Sequence, residues 1–356
     1  MKPVVFLVMG YAIISLLNTE RLIFLSQSPM IERYGTLGPS CQDVKTLIAL
    51  FQEGMTGIRL NLSHCDLEEC GEWLNHLHTA AQECGVSPDL LIDLKGPELR
   101  VGVLSGPLSL EEGKEITLGG DGIPVPSIIF PSLCLGQEIL LDDGALLLRV
   151  EDCGKTHARC RIIRGGILHS RKSIAIPGAG IFPPTLTESD YKNLSIAKKA
   201  GVTGVMLPFV RGKEDLIHLR NALKEVGATD IRIFAKLENR QGIQVLPELL
   251  EYADHIVIAR GDLGNDMPLW ELPGIQYEVS KLCKSVGKPF MVVTQMLHSM
   301  THAAVPTRAE VSDIFHAVLD GASSVMLTGE TASGEFPVEA MRYLCRTVDC
   351  AQKYIK

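Results

Sequence analysis

Short runs of apolar residues recur along the chain, and each is followed by polar residues and then by an amphipathic stretch. Several runs are apolar throughout, which is typical of parallel strands buried on both faces. Eight such runs predict strands at residues 33–37, 57–62, 90–94, 203–207, 231–235, 255–259, 289–293 and 323–327. The stretches between them predict helices, among them 44–51, 216–226, 276–285, 310–319 and 337–354. Strand–helix alternation repeated eight times predicts an α/β fold, a closed (β/α)8 TIM barrel.

One connection is too long for this pattern. Residues 101–172 contain glycine- and proline-rich turns between short strand-like runs at 115–118, 138–141 and 158–163. Asp142-Asp143-Gly144 predicts a tight hairpin turn. We therefore predict a small all-β lid domain, a β-barrel inserted after the third strand. The remaining residues, 30–100 and 173–356, would form a barrel of the usual size of about 250 residues.

The first 29 residues differ from the rest. Lys2 precedes an apolar run over residues 4–17, which resembles a short signal-peptide core but lacks a small-residue cleavage site. The run is also shorter than the ~20 apolar residues that cross a bilayer. We expect a disordered extension or a misplaced start rather than a membrane anchor, with the globular domain beginning near Met30.

Composition narrows the classes of partner. The net charge is −8 and hydrophobic residues make up 46% of the chain, so a large core is available and a basic face for nucleic acid is not expected. The ten cysteines form neither a CxxC pair nor a zinc-type spacing. Scattered cysteines of this kind indicate a reducing compartment, the cytoplasm, rather than a disulfide framework.

Charged residues cluster where the predicted strands end, which is where barrels of this kind carry their chemistry. Lys236 and Glu238 are two residues apart, so on an extended strand they point the same way. A lysine beside carboxylates suits a phosphoryl substrate with its divalent cation. Taken alone, the pair is equally compatible with a structural ion pair. The other strand-end residues are Arg59, Asn61, Ser63, Asp93, Lys95, Arg260, Asp262, Thr294, Thr328 and Glu330.

The motifs around these residues resemble, in order, those of pyruvate kinases. The resemblance runs from about residue 33 to 353, and the set is specific although no single motif is. It consists of Thr36-Leu37-Gly38-Pro39, Arg59-Leu60-Asn61-Leu62-Ser63-His64, Lys95-Gly96-Pro97-Glu98-Leu99-Arg100, Lys236-Leu237-Glu238-Asn239, Ala259-Arg260-Gly261-Asp262-Leu263-Gly264, Thr294-Gln295-Met296-Leu297, Pro306-Thr307-Arg308-Ala309-Glu310 and Gly329-Glu330-Thr331-Ala332.

The resemblance implies phosphoryl transfer from phosphoenolpyruvate to ADP, giving pyruvate and ATP in glycolysis, with Mg²⁺ (or Mn²⁺) and K⁺. By the same resemblance, Lys236, Arg59, Thr294 and Thr328 are catalytic. The resemblance also implies that substrate is bound by Arg59, Lys236, Gly261, Asp262 and Thr294. Glu238 and Asp262 would hold Mg²⁺. Potassium would be held by Asn61, Ser63, Asp93 and the carbonyl of Leu94, and the nucleotide would be bound by Asn61, His64, Arg100 and Lys172.

The chain departs from the family pattern at several positions. Cys65 stands where the family usually has glycine, Leu94 replaces a threonine, and Thr328 replaces a serine but keeps the hydroxyl. The sequence ends where the barrel closes, so the family's carboxyl-terminal domain and its effector site are not expected, nor is a response to a sugar bisphosphate. The resemblance leaves homodimer and homotetramer open as assembly states.

Two other functions remain open at the level of sequence. One is a non-catalytic relative that binds phosphoenolpyruvate or a nucleotide. The other is a barrel enzyme of another type, such as a carbon–carbon lyase. Retention of the lysine, both carboxylates and the hydroxyl favours the phosphotransferase.

Overall fold

The computed structural model describes residues 30–63, 65–97, 99–142, 144–179, 181 and 183–355, without the side chain of Asn265. The predicted extension at residues 1–29 lies outside these residues, as do His64 and Asp143.

Eight parallel strands form a closed barrel, as predicted. Going around the barrel, β1 is followed by β15, β14, β13, β12, β11, β3 and β2, and β2 then pairs with β1 again. Each barrel strand lies within two residues of its predicted position. The strands are β1 Glu32–Thr36, β2 Gly57–Asn61, β3 Asp89–Asp93, β11 Gly204–Leu207, β12 Arg232–Leu237, β13 His255–Ala259, β14 Phe290–Val293 and β15 Ser324–Met326.

Helices connect the barrel strands, and the five predicted ones are present. Thr307 and Glu310 form a capping box at the start of the helix that begins at Arg308, in which each side chain accepts a hydrogen bond from the other residue's backbone N–H. The α-helices are α1 Val44–Gln52, α2 Gly71–Cys84, α3 Glu188–Ala197, α4 Lys213–Glu225, α5 Arg240–Gln244, α6 Leu246–Leu249, α7 Arg260–Asp266, α8 Leu272–Ser285, α9 Arg308–Leu319, α10 Gly329–Ala332 and α11 Pro337–Gln352. Two 3₁₀ helices lie at Ser127–Ser132 and His298–Thr301.

Antiparallel strands occupy the long connection after β3. One sheet has the strand order β10-β6-β7-β8-β5, and β4 pairs with β9 in a second. The β6–β7 hairpin turns at the position that the sequence predicts. The strands are β4 Leu108–Leu110, β5 Glu115–Gly119, β6 Glu138–Leu141, β7 Leu146–Cys153, β8 His157–Arg164, β9 Gly166–Leu168 and β10 Ile174–Ala175, the last lying just beyond the predicted boundary at residue 172.

The alternation of side chains along each barrel strand separates two cores. On β12, Ile233, Ala235 and Leu237 pack outward among the helices, whereas Phe234 packs inside the barrel. The barrel interior is filled by Tyr34, Leu91, Met206, Phe234, Val257, Ala259, Met291, Val293 and Met326. A third core, built from buried residues between Val101 and Ile176, belongs to the antiparallel region. Lys236 shares its inward direction with Phe234, so the strand carries it to the barrel mouth.

None of the helices described between residues 30 and 355 combines the length and the apolar character needed to cross a membrane.

The amino-terminal end of the barrel is closed by a polar network around His255. Its ring stacks on Phe234 at 4.5 Å, and Arg232 lies over the same phenyl ring. Arg232 also pairs with Asp89, which accepts a hydrogen bond from Tyr34. Burial, with Arg232 nearby, lowers the pKa of His255 to about 4.

A histidine with a lowered native pKa makes stability fall in acid. The unfolded chain takes up this proton near pH 6.5, whereas the folded chain takes it up near pH 4, so His255 opposes folding progressively as pH falls between these values. Between pH 6.5 and pH 4 the free energy of unfolding should fall less in His255→Gln than in wild type. We predict a difference of up to about 3 kcal/mol between the two falls. Urea unfolding of both proteins from pH 7 to pH 4 measures it. His302→Gln, at a side chain 83% exposed, is the control, and parallel curves for wild type and His255→Gln would contradict the prediction.

Candidate active site

Three strands bring opposite charges together at the carboxyl mouth of the barrel. Arg59 on β2, Asp93 on β3 and Lys236 on β12 all project inward, because each is two residues along from an inward-facing position. The Arg59 Nε donates to Oδ2 of Asp93 at 3.1 Å, and its Nη2 donates to the same oxygen. Nζ of Lys236 lies 3.2 and 3.1 Å from the two carboxylate oxygens of Asp93. Asp93 therefore joins the two cations that the sequence predicts for phosphoryl binding.

Because the cluster is shielded from solvent, the charges of its members strongly affect the pKa values of Asp93 and Lys236. Asp93 is 2% exposed. Burial alone would raise its pKa, but Lys236 and Arg59 outweigh that effect and hold the pKa of Asp93 below its usual value. Burial alone would lower the pKa of Lys236, but Asp93 and Glu238 reverse the sign and raise it. Asp93 and Lys236 are accordingly both charged at neutral pH.

Glu238 lies just past the end of β12, where Lys236 Nζ is 2.7 Å from its Oε1. Its Oε2 accepts a hydrogen bond of 2.7 Å from the backbone N–H of Phe209. Phe209 has φ 51°, a left-handed conformation that few bulky residues adopt, so the surrounding fold constrains this donor. Oε1 is buried and makes no hydrogen bond of acceptable geometry despite the nearby ammonium. Burial raises the pKa of Glu238, with Lys236 opposing and Asp262 adding to the rise.

A cleft of about 500 Å³ opens beside this cluster. Glu238, Asp262 and Asp266 line its barrel side, and residues of the inserted region line the other, including Leu140, Gly144 and the segment 173–179. The inserted region thus faces the barrel mouth across a space large enough for a small ligand.

The backbone directly after β14 is strained. Thr294 has φ 75° and Gln295 has φ 55°, and a β-branched residue is rare in this region. Arg260 supports the strain: its Nε and Nη2 donate to the Thr294 carbonyl at 3.2 and 2.8 Å, and Asp313 anchors its Nη1. Gly261 is required here, since a Cβ at this position would lie 2.8 Å from the Thr294 methyl group.

Glu330 joins the ends of the last two barrel strands. Its Oε1 accepts from the Leu297 backbone N–H at 3.1 Å, and its Oε2 accepts from the backbone N–H and the hydroxyl of Thr328 at 2.8 and 3.2 Å. Glu330 is 1% exposed. It thereby orients the hydroxyl that the sequence predicts to be catalytic.

The predicted potassium residues lie on neighbouring strand ends. Asn61 and Asp93 are register partners in the β2–β3 pair, and Ser63 and Leu94 follow directly. Oδ1 of Asn61 accepts from the backbone N–H of Ser63 at 3.2 Å, and Asp93 is already paired with Arg59 and Lys236.

The predicted nucleotide residues fall into two groups. Asn61 lies at the barrel mouth, whereas Arg100 and Lys172 lie where the chain enters and leaves the inserted region. These two crossings are joined by a bridge from Arg100 to Ser173 and by the bond from Val101 N–H to the Lys172 carbonyl at 2.8 Å. Arg100 also donates to the Arg171 carbonyl, and Lys172 pairs with Asp142 at 2.7 Å.

Three supporting residues received no role from sequence reasoning: Arg260, Glu330 and Asp190. Asp190 is fully buried and accepts from the backbone N–H groups of Lys95 and Gly96 at 2.9 and 3.1 Å, which fixes the loop after β3. Arg260 and Glu330 belong to motifs of the family and lie at predicted strand ends, which indicates that they are near the site but not what they do. Asp190 lies in no such motif.

These features define a class of protein: a (β/α)8 barrel with a charged site at its carboxyl mouth and an antiparallel domain inserted after the third strand. The sequence model of the family "Pyruvate kinase, barrel domain" matches residues 30–341. The chain belongs to the pyruvate kinase family.

Individual relatives agree with this assignment. The chain is 38% identical over 318 residues to "Pyruvate kinase" of Geobacillus stearothermophilus, an alignment that covers 86% of this chain and 54% of the relative. It is 37% identical to "Pyruvate kinase" of Bacillus licheniformis over the same shares, and 36% identical to that of Methylorubrum extorquens over 89% of this chain and 68% of the relative. The chain thus spans about half the length of the first two.

Asp93 is the residue on which the cluster's stability depends. Asp93→Asn keeps the shape but leaves Arg59 and Lys236 as two part-buried cations with one fewer counter-charge. We predict a loss of about 3 kcal/mol in the free energy of unfolding, measured with urea at pH 7. Asp152→Asn, at an exposed residue of β7, should change it by less than about 0.5 kcal/mol. Equal stability of the two variants would show that the ion cluster contributes nothing to folding.

Proposed function

We propose that the chain catalyses the pyruvate kinase reaction, transferring a phosphoryl group from phosphoenolpyruvate to ADP to give pyruvate and ATP. The observation that carries the proposal is Lys236, held by Asp93 and Glu238 at the mouth of a barrel that belongs to this family. Two cations in a water-poor site supply the preorganised positive charge that phosphoryl transfer requires.

The proposed roles of the side chains are those that the resemblance implies, and their positions at the barrel mouth support them. Arg59 and Lys236 bind the transferring phosphoryl group, and Asp93 fixes their separation. Gly261 and Thr294 receive the carboxylate end of the substrate, since the glycine leaves the backbone accessible and Arg260 holds the threonine in its strained conformation. The Thr328 hydroxyl, oriented by Glu330, delivers the proton to the methylene carbon of the departing enolate.

Magnesium fits Glu238 and Asp262. The fit rests on Glu238 Oε1, a buried oxygen that lacks a well-formed hydrogen bond and stands close to further negative charge. No group of three or more histidine, cysteine, aspartate or glutamate side chains could hold a metal ion among the described residues. Two protein carboxylates suit Mg²⁺, which keeps water and substrate oxygens as its other ligands and neutralises charge on the transferring group.

Potassium is proposed at Asn61, Ser63, Asp93 and the Leu94 carbonyl. Support comes from the register of β2 and β3, in which Asn61 and Asp93 are partners at neighbouring strand ends. A monovalent cation there adds positive charge near the phosphoryl site. Because Asp93 already serves Arg59 and Lys236, the ion would share that carboxylate.

The inserted region closes the cleft over bound substrate and excludes water, which protects the transferring group from hydrolysis. Arg100 and Lys172, at its base, approach the nucleotide. All ten cysteines are free, which supports a cytoplasmic location.

The ammonium group of Lys236 can be removed by mutation to methionine. Lys236→Met should lower turnover by about 10³-fold or more, because the charge that it stabilises is greatest in the transition state. A lactate-dehydrogenase-coupled assay with phosphoenolpyruvate and ADP measures it, and circular dichroism checks the fold. Lys199→Met, at an exposed lysine, is the matched control. Wild-type turnover in Lys236→Met would refute the site.

A second prediction concerns the cations. Chelation should abolish activity, and Mg²⁺ or Mn²⁺ should restore it. Asp262→Asn should raise the Mg²⁺ concentration for half-maximal activity by about tenfold or more, since it removes one of two protein ligands. Replacing K⁺ by tetramethylammonium should lower the rate strongly. Equal rates in the two salts would refute the potassium site without affecting the proposal for the magnesium site.

A further inference from the structure

Two cysteines face each other in the loop between β2 and α2. Sγ of Cys65 lies 2.7 Å from Sγ of Cys70, although both are free thiols. Cys65 is partly exposed, whereas Cys70 is 3% exposed and immediately precedes α2. One thiol is therefore accessible to a reagent and the other is sheltered directly behind it.

The intervening turn holds the two thiols together. Leu67 is buried, and its N–H donates to Oδ1 of Asn193 at 2.8 Å. Cys70 N–H donates to the Leu67 carbonyl at 3.3 Å, and Asp66 N–H donates to Glu69 at 2.9 Å. The sulfurs need to approach by only about 0.7 Å to reach a covalent S–S distance. Little conformational entropy remains to be lost on closing so short and so ordered a loop.

We propose that Cys65 and Cys70 form a reversible dithiol–disulfide modification site that a low-molecular-weight disulfide oxidises. The Cys65 sulfur attacks the reagent, one thiol leaves, and a mixed disulfide forms. Cys70 then displaces the second thiol, so that two protein thiols become one disulfide while one reagent disulfide becomes two thiols. A transient disulfide of this kind is compatible with a reducing compartment.

The site is connected to the candidate active site. Cys65 Sγ lies 4.0 Å from the Asn61 carbonyl, and Asp66 accepts a hydrogen bond from Nζ of Lys95 at 2.9 Å, which ties the loop to the end of β3. Oxidation shifts Cys65 towards Cys70 and so alters its contact with Asn61, the last residue of β2. Resting on the proposed function, we infer that oxidation lowers the rate of phosphoryl transfer and that a dithiol restores it.

The test equilibrates the full chain with glutathione disulfide, blocks remaining thiols with iodoacetamide and maps tryptic peptides by mass. Cleavage after Arg59 and Lys95 gives one peptide that holds Cys65, Cys70 and Cys84. We expect this peptide to carry one alkylated cysteine and to weigh about 2 Da less than the same singly alkylated peptide with two free thiols. Treatment with dithiothreitol before alkylation should abolish this mass difference. The Cys84→Ser variant should keep the mass loss, whereas Cys65→Ser and Cys70→Ser should abolish it.

Two results would overturn the proposed site. One is a peptide with three alkylated cysteines after treatment with glutathione disulfide, and the other is a stable glutathione adduct on Cys65 with Cys70 still reduced. Should the buried Cys70→Ser variant fail to fold, the result for Cys65→Ser decides alone.

The link to activity is tested by measuring phosphoryl transfer on the same samples, and Cys65→Ser should resist inactivation. Oxidation that leaves wild-type activity unchanged would refute the link to the active site, whereas a chain inactive even when reduced would refute the proposed function and leave the mass result intact.

Discussion

The charged site depends on one buried carboxylate. Two cations, Arg59 and Lys236, would repel each other at the barrel mouth, and burial would favour loss of the lysine proton. Asp93 removes both difficulties, because it accepts hydrogen bonds from both cations and raises the pKa of Lys236. Two like charges can therefore lie side by side at the barrel mouth without a large cost to folding. Glu238 completes the balance on the other side of Lys236.

Around this cluster, buried polar side chains fix the loops that follow the strands. Arg260 carries the strained Thr294, Glu330 joins the ends of β14 and β15, and Asp190 holds the loop after β3. Each satisfies backbone groups that would otherwise be buried without partners. The geometry of the site thus depends on these supporting side chains as much as on the charged cluster at the barrel mouth.

Periodicity along the chain was sufficient to predict the barrel, since strands buried on both faces are apolar throughout and repeat regularly. The spacing of Lys236 and Glu238 correctly predicted that they meet. Residue pattern alone did not predict which anion pairs with Arg59, because that contact joins strands whose register becomes known only in three dimensions. The same limit applies to Asp190, which acts across 94 and 95 positions of sequence on Gly96 and Lys95. The left-handed backbone at Phe209 and Thr294 had no sequence indication, since neither residue type favours it.

The antiparallel region has a hydrophobic core separate from that of the barrel, and the chain passes between them at two adjacent crossings. Local opening of a region with its own core does not require the rest of the molecule to unfold. Mutations there can accordingly accumulate under a different selective pressure from those in the barrel. Substitutions in the inserted region can therefore change the stability of that region while the arrangement of charges at the barrel mouth persists unchanged.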